Sequence, residues 1–249
     1  MRGVYDSAYR ITPEKRNRMT KSIVLSAFLL LPALAAGAPL AAQTVDQGAF
    51  RVSVAGHEVG TETFTITQSG SGAVAVTMAT GRVDLRLPDG SLQLAPRLRA
   101  QGVGSDPVQY QVDVSGDAPQ RVVGTIGGGR VSAKIVTAAG EQLREYVASA
   151  GAVVLDEGVA HHYYFLATRT HAGRVPIIVP RENRQVIATV SSRGEEAVQV
   201  AGRSVRLFHL LVQPQGGAEA NVWVDDLNRV FKVEIPGRHY LAERTEPPR

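Results

Sequence analysis

The chain has 249 residues, of which 44% are hydrophobic, 27 are Lys or Arg and 23 are Asp or Glu. It contains no cysteine, which excludes disulfides, thiolate catalysis, cysteine-ligated metal sites and a lipid-modified N-terminal cysteine.

Residues 1–42 are predicted to be an export signal peptide. Four basic residues lie between positions 15 and 21, ahead of an apolar stretch over 22–38 that Pro32 interrupts. Met19 is an alternative start, and the small residues that follow favour cleavage after Ala42. An uncleaved anchor is the weaker alternative, because the apolar stretch only reaches the lower limit for a span. We therefore expect a protein of the periplasm or the cell exterior, with residues 43–249 forming a single all-β domain.

The net charge of the chain resides in this leader. The leader holds six of the 27 basic and two of the 23 acidic residues, so 21 of each remain in residues 43–249. A formally neutral domain lacks the basic surface that nucleic-acid binding requires. Nucleic acid is therefore not an expected partner.

Strand patterns dominate the rest of the chain, with apolar and polar residues alternating at period two. The first runs in chain order are AFRVSV from Ala49, TETFTIT from Thr61, RVDLRL from Arg82 and VQYQVDV from Val108. In the second run, Glu62, Phe64 and Ile66 alternate with threonines. Glycine-rich reversals separate the runs. This pattern predicts a mainly β fold, an antiparallel meander of about a dozen or more strands that forms a curved sheet or half-barrel.

One segment has helical spacing instead. In LDEGVAHHYYFLATR, which begins at Leu155, the apolar positions predict a short helix over about Gly158–Thr168, with Asp156 at the N-cap. This helical insert marks a candidate seam near residues 150–170. Six further strand-like runs lie between residues 175 and 236, and the final ERTEPPR predicts a loose tail.

Asp225 and Asp226 could be a catalytic carboxylate pair or the tip of a hairpin. Adjacent residues of a strand point to opposite faces and cannot share a proton. Val222 and Val224 would line one face with Trp223 on the other, and aspartates suit turns because they bond nearby backbone amides. We predict the hairpin.

Other chemical motifs are missing from the sequence. His161 and His162 are adjacent, so on a helix they cannot chelate a metal as an i, i+4 pair does. HExxH, GxSxG and Walker patterns are absent, and the glycines at 127–129 fit a tight hairpin. We predict no enzyme activity, cofactor or metal; a metal held by His161 or His162 with a remote partner is the alternative.

The segment AHHYYFLA, which begins at Ala160, suggests two roles for the insert. It could be a lid over an apolar cavity, or it could fill the interior of the sheet as a plug, which we favour. The candidate ligand-facing residues are His162, Tyr163, Phe165, Leu166 and Trp223.

Three segments carry a family resemblance: GAFRVSVAGHEVGTETFTI from Gly48, LDEGVAHHYYFL from Leu155, and VWVDDLNRVFKVEIPG from Val222. Together they resemble uncharacterised exported envelope proteins of Gram-negative bacteria. The resemblance implies an envelope location and a curved antiparallel sheet, similar in outline to periplasmic lipoprotein carriers. It implies no catalytic residues.

Two functions are therefore expected first. One is a periplasmic carrier or binding module for an apolar ligand or lipid, which a cavity of several hundred cubic ångströms would favour. The other is an envelope scaffold that binds a protein partner, which a filled interior would favour. An integral outer-membrane barrel is a weaker third alternative, because alternating segments are its signature too.

Overall fold

The computed structural model describes residues 42–88 and 90–248. The predicted signal peptide lies outside these residues, apart from Ala42. The strands are β1 (Gln43–Val54), β2 (His57–Ser69), β3 (Val76–Leu87), β4 (Gly90–Gln101), β5 (Asp106–Gly116), β6 (Gln120–Gly127), β7 (Arg130–Thr137), β8 (Gly140–Val147), β9 (Val153–Val154), β10 (Gly173–Val179), β11 (Arg184–Val200), β12 (Arg203–Pro214), β13 (Ala220–Val224), β14 (Val230–Ile235) and β15 (Tyr240–Arg244).

All fifteen strands form one curved, unclosed sheet in the order β8-β7-β6-β5-β4-β3-β2-β1-β15-β14-β13-β12-β11-β10-β9. Neighbouring strands in this order pair antiparallel, except β9 and β10, which pair in parallel. The first and last strands also pair, with Phe50 opposite Arg244. Two meanders, one before and one after the insert, are thereby joined into a single sheet. The predicted fold class is confirmed.

The alternation in the sequence places the main core on the concave side of the sheet. In β2, for example, Glu62, Phe64 and Ile66 are buried while the residues between them are more exposed. A second, smaller cluster of Val200, Leu207, Trp223 and Phe231 lies apart from the main core.

The two edges of the sheet differ. Val153 and Val154 of β9 are fully buried, so this edge lies within the fold. Strand β8 is exposed along almost its whole length, and Leu143 and Val147 are 79% and 61% exposed. The β8 edge is therefore the more exposed of the two edges.

The predicted hairpin is present. Val222 and Val224 belong to the main core, whereas Trp223 packs in the second cluster on the opposite face. Asp225 accepts hydrogen bonds from the backbone amides of Leu227 at 3.0 Å and Arg229 at 2.8 Å. Asp225 thus acts as a turn residue, as the sequence indicates.

The predicted loose tail is wrong for its first residues, because β15 continues through Glu243 and Arg244. Arg244 is 2% exposed and pairs with the buried Asp46 of β1. Its guanidinium lies over the rings of Phe50, Phe64 and Phe231, at 5.7, 5.1 and 5.6 Å from their centroids. Arg244 therefore joins β15 to β1, the last and first strands of the described residues.

Over the described ranges, 42–88 and 90–248, no helix has the length and apolarity needed to span a membrane.

Candidate functional site

The insert, residues 155–169, packs against the concave face. It contains a 3-10 turn over Ala160–His162 and helix α1 over Tyr163–Arg169, so the predicted helix is confirmed with its start two residues later. Phe165 and Leu166 are buried in the main core. The insert therefore fills the interior, as predicted for a plug.

A buried carboxylate from the sheet holds the start of the insert. Glu62 of β2 is fully buried and accepts hydrogen bonds from the backbone amides of Ala160 at 2.8 Å and His161 at 2.9 Å. Its Oε1 also lies 2.6 Å from Nδ1 of His161. The carboxylate satisfies amides at the start of the helical segment, which have no partner within it.

The sheet is shaped to receive the His161 ring. This ring stacks on Phe64, with 5.2 Å between centroids and 5° between planes. Gly81 of β3 lies opposite Phe64, and a Cβ at Gly81 would lie 2.6 Å from Cε1 of His161. A glycine is required at this position because any side chain would overlap the imidazole.

His162 has no hydrogen-bond partner in these surroundings. It is fully buried, and its ring makes edge contacts with His161, Tyr110 and Phe165 at centroid distances of 4.6, 5.7 and 6.4 Å. Both ring nitrogens lack a partner among the described residues. Burial, assisted by the neighbouring His161, lowers the pKa of His162 well below its usual 6.5. The ring is therefore neutral at neutral pH.

A second anchor lies before the turn. Asp156 accepts a hydrogen bond from the Tyr110 hydroxyl at 2.5 Å and pairs with Arg181 at 2.9 Å. Burial and the Asp156 carboxylate raise the pKa of Tyr110 well above its usual range. The prediction of Asp156 as N-cap is wrong. The backbone amides at the start of the helical segment, those of Ala160 and His161, donate instead to Glu62, which lies almost 100 residues earlier in the chain.

A cleft of about 100 Å³ opens beside the insert. We call it the insert cleft. One wall is the insert from Leu155 to Tyr163, and the other is made by strands β10, β11, β14 and β15. Its apolar lining includes Val159, Ile177, Val179, Val186 and Ile235. The rim carries charges that are already paired: Arg238 with Glu157, and Arg184 with Glu182 at 2.5 Å.

Two tyrosines line the insert cleft. Burial raises the pKa of Tyr163 to about 12, although Arg238 acts in the opposite direction. Burial, with the nearby Glu62 and Tyr163, raises the pKa of Tyr240 well above its usual range. The Tyr240 hydroxyl is buried and has no partner among the described residues. Both phenols stay protonated at neutral pH, so neither can serve as a base there.

The five candidate ligand-facing residues are not brought together. Tyr163 lines the insert cleft. His162, Phe165 and Leu166 lie in the core. Trp223 lies in the second cluster, where its indole N–H donates to Glu196 and its ring stacks on His209 at 4.5 Å.

The roles of Glu62, Tyr240 and Arg238 were not predicted from the sequence. For Glu62 the sequence did contain a signal, because this acidic residue lies on the same inward face of β2 as Phe64 and Ile66. Across the described residues, no group of three or more His, Asp or Glu side chains could hold a metal ion.

No family model matches the chain, and no curated protein matches it in sequence. Among solved structures, the fold is similar to a beta-barrel-like protein of the domain of unknown function DUF1849 from Brucella abortus. The TM-score is 0.52 at 11% sequence identity, and the match covers 80% of this chain and 93% of the other. At this identity the likeness concerns the fold alone.

Proposed function

We propose that the protein is an exported, non-enzymatic binding module that holds an apolar group of a ligand, such as the end of an acyl chain, in the insert cleft. The observation that carries the proposal is the cleft itself, with its apolar walls. The leader over residues 1–42 supports a location in the periplasm or outside the cell.

The size of the insert cleft limits the ligand. Pockets for drug-sized molecules measure roughly 300–1,000 Å³, and this cleft measures about 100 Å³. Because the insert fills the rest of the interior, a whole lipid does not fit. The ligand would place one apolar end in the cleft and keep its polar end at the charged rim.

The charged groups around the cleft favour binding over catalysis. Asp156 is bonded to Tyr110 and Arg181, and Glu157 is paired with Arg238. General base catalysis needs a group free to accept a proton from the substrate. These two carboxylates are committed to bonds that hold the insert.

A variant that fills the cleft tests the proposal. Val186→Phe places a larger side chain in the cleft, and Val123→Phe is the matched control at a partly buried position of β6 outside it. We expect a fluorescent fatty acid to bind the natural protein and the control but not Val186→Phe. Native mass spectrometry without co-purified lipid, together with no binding of the probe, would contradict the proposal. Equal binding to Val186→Phe would contradict the cleft as its site.

The second candidate is an envelope interaction protein, favoured by the filled interior and the exposed β8 edge. An open edge can add a strand from a partner. A pulldown from envelope extract should then lose its partner with Leu143→Glu but keep it with Val103→Glu, an equally exposed position in a turn. A pulldown that returns the same proteins with both variants counts against this role. We do not propose a membrane-spanning barrel, because such a barrel must be closed.

A further inference from the structure

The burial of the His162 ring lowers the stability of the folded protein. The ring is fully buried, and neither nitrogen has a partner among the described residues. A buried polar group without a hydrogen bond costs stability, and a buried unpaired charge costs much more. The interior therefore accepts His162 only as the neutral imidazole.

The ionisable groups around His162 are already engaged. From β2, Glu62 is bonded to His161 and to backbone amides of the insert. From β5, Tyr110 donates to Asp156, which also pairs with Arg181. Among the described residues, a proton on His162 would meet no hydrogen-bond acceptor, because its ring contacts the rings of Tyr110, His161 and Phe165 in T-shaped arrangements and both its nitrogens lack a partner.

We propose that the insert is a proton-sensitive plug, which leaves the interior when His162 gains a proton while the sheet stays paired. No strand pairing includes residues 156–169, and the β1–β15 pairing joins the two meanders without the insert. Leu155 donates a backbone hydrogen bond to Ile178 of β10 at 3.1 Å. The other polar anchors are side-chain bonds, from Glu62 and around Asp156 at the start of the insert and from Arg169 to Asp106 at its end, at 2.6 Å. Release of this segment alone is therefore a smaller step than unfolding of the sheet.

The direction and size of the pH effect follow from linkage. His162 has a lowered pKa when buried and regains a value of about 6.5 when released. The stability that keeps the plug in place is complete above pH 6.5 and is lost as the pH falls below it. One extra proton in the released form raises its population roughly tenfold for each pH unit below 6.5. The inference concerns release alone and does not depend on a ligand in the insert cleft.

The absence of cysteine allows a direct test by thiol labelling. Ala167→Cys reports release of the insert, because Ala167 is buried in α1. Val200→Cys, buried in the second cluster, reports global unfolding, and Val103→Cys at an exposed turn corrects for the pH dependence of thiol reactivity. Between pH 7.0 and 5.5 we expect the corrected labelling rate at position 167 to rise about tenfold. The rate at position 200 should not change.

Replacement of the histidine completes the test. Combined with Ala167→Cys, His162→Gln or His162→Leu should abolish the acid-induced increase, since neither side chain takes up a proton. Two substitutions are used so that, if one variant does not fold, the other still shows whether the pH dependence requires His162. A corrected rate that does not change with pH, an increase that persists in both variants, or a parallel increase at Val200→Cys would each overturn the proposal.

Discussion

The anchor at Glu62 allows a quantitative prediction. In Glu62→Ala, the amides of Ala160 and His161 and the imidazole of His161 lose their common acceptor inside the fold. These groups are fully buried, so bulk solvent does not reach them in the folded state. The start of the helical segment thereby loses the carboxylate that bonds to both of its amides.

The expected loss of unfolding free energy depends on the buried donors that lose their acceptor in Glu62→Ala. Leaving a buried hydrogen-bonding group without its partner typically costs about 1–3 kcal/mol. Three bonds converge on Glu62, so we expect about 4 kcal/mol of lost unfolding free energy. Glu62→Gln keeps one carbonyl acceptor and should cost less.

Urea unfolding followed by the fluorescence of Trp223 measures this loss, because Trp223 is the only tryptophan and lies outside the main core. The matched control is Glu58→Ala on the same strand, where the side chain is 60% exposed and pairs with Arg51 at 3.4 Å. That surface pair should contribute about 0–1 kcal/mol. A loss in Glu62→Ala no larger than in the control would refute the reasoning that the carboxylate anchors the insert.

Two further substitutions test the packing around this anchor and the closure of the sheet. Gly81→Ala should lower the unfolding free energy in urea by about 1–3 kcal/mol, because its Cβ would overlap the His161 ring. Gly124→Ala is the control and should have no effect, because the atom nearest to a Cβ there is 3.8 Å away. Equal effects of the two substitutions would argue against the overlap. Arg244→Met should cost about 3–5 kcal/mol, because it leaves the buried Asp46 unpaired. Adding Asp46→Leu should restore much of that loss in thermal unfolding, and a double variant less stable than Arg244→Met would contradict the argument.

The sequence alone predicts the class of the fold and the direction of most side chains. Apolar and polar residues alternate because successive side chains of a strand point to opposite faces, and glycine-rich segments mark the reversals. These local rules were enough to place Phe64 inside, Trp223 opposite its valine neighbours, and Asp225 in a turn. They also predicted one short helix, since its spacing departs from period two.

The candidate site depended on contacts that no local rule contains. Glu62 and His161 are 99 residues apart in the chain, and a pattern of period two marks Glu62 only as facing inward. Nothing near Arg244 in the sequence indicates its partner, because Asp46 lies at the other end of the described chain and reaches it only through the β1–β15 pairing. The prediction of Asp156 as N-cap failed for the same reason.

The order of the strands in the sheet was also decided by the tertiary structure. Alternation and turns determine that consecutive strands can pair, but they do not determine which strands are left at the edges. Here the first and last described strands pair with each other, β8 is left exposed and β9 is buried. Local sequence thus determined the strands, the turns and the inward faces. The folded structure decided what fills the interior, because burial and hydrogen bonding are satisfied by groups far apart in the chain.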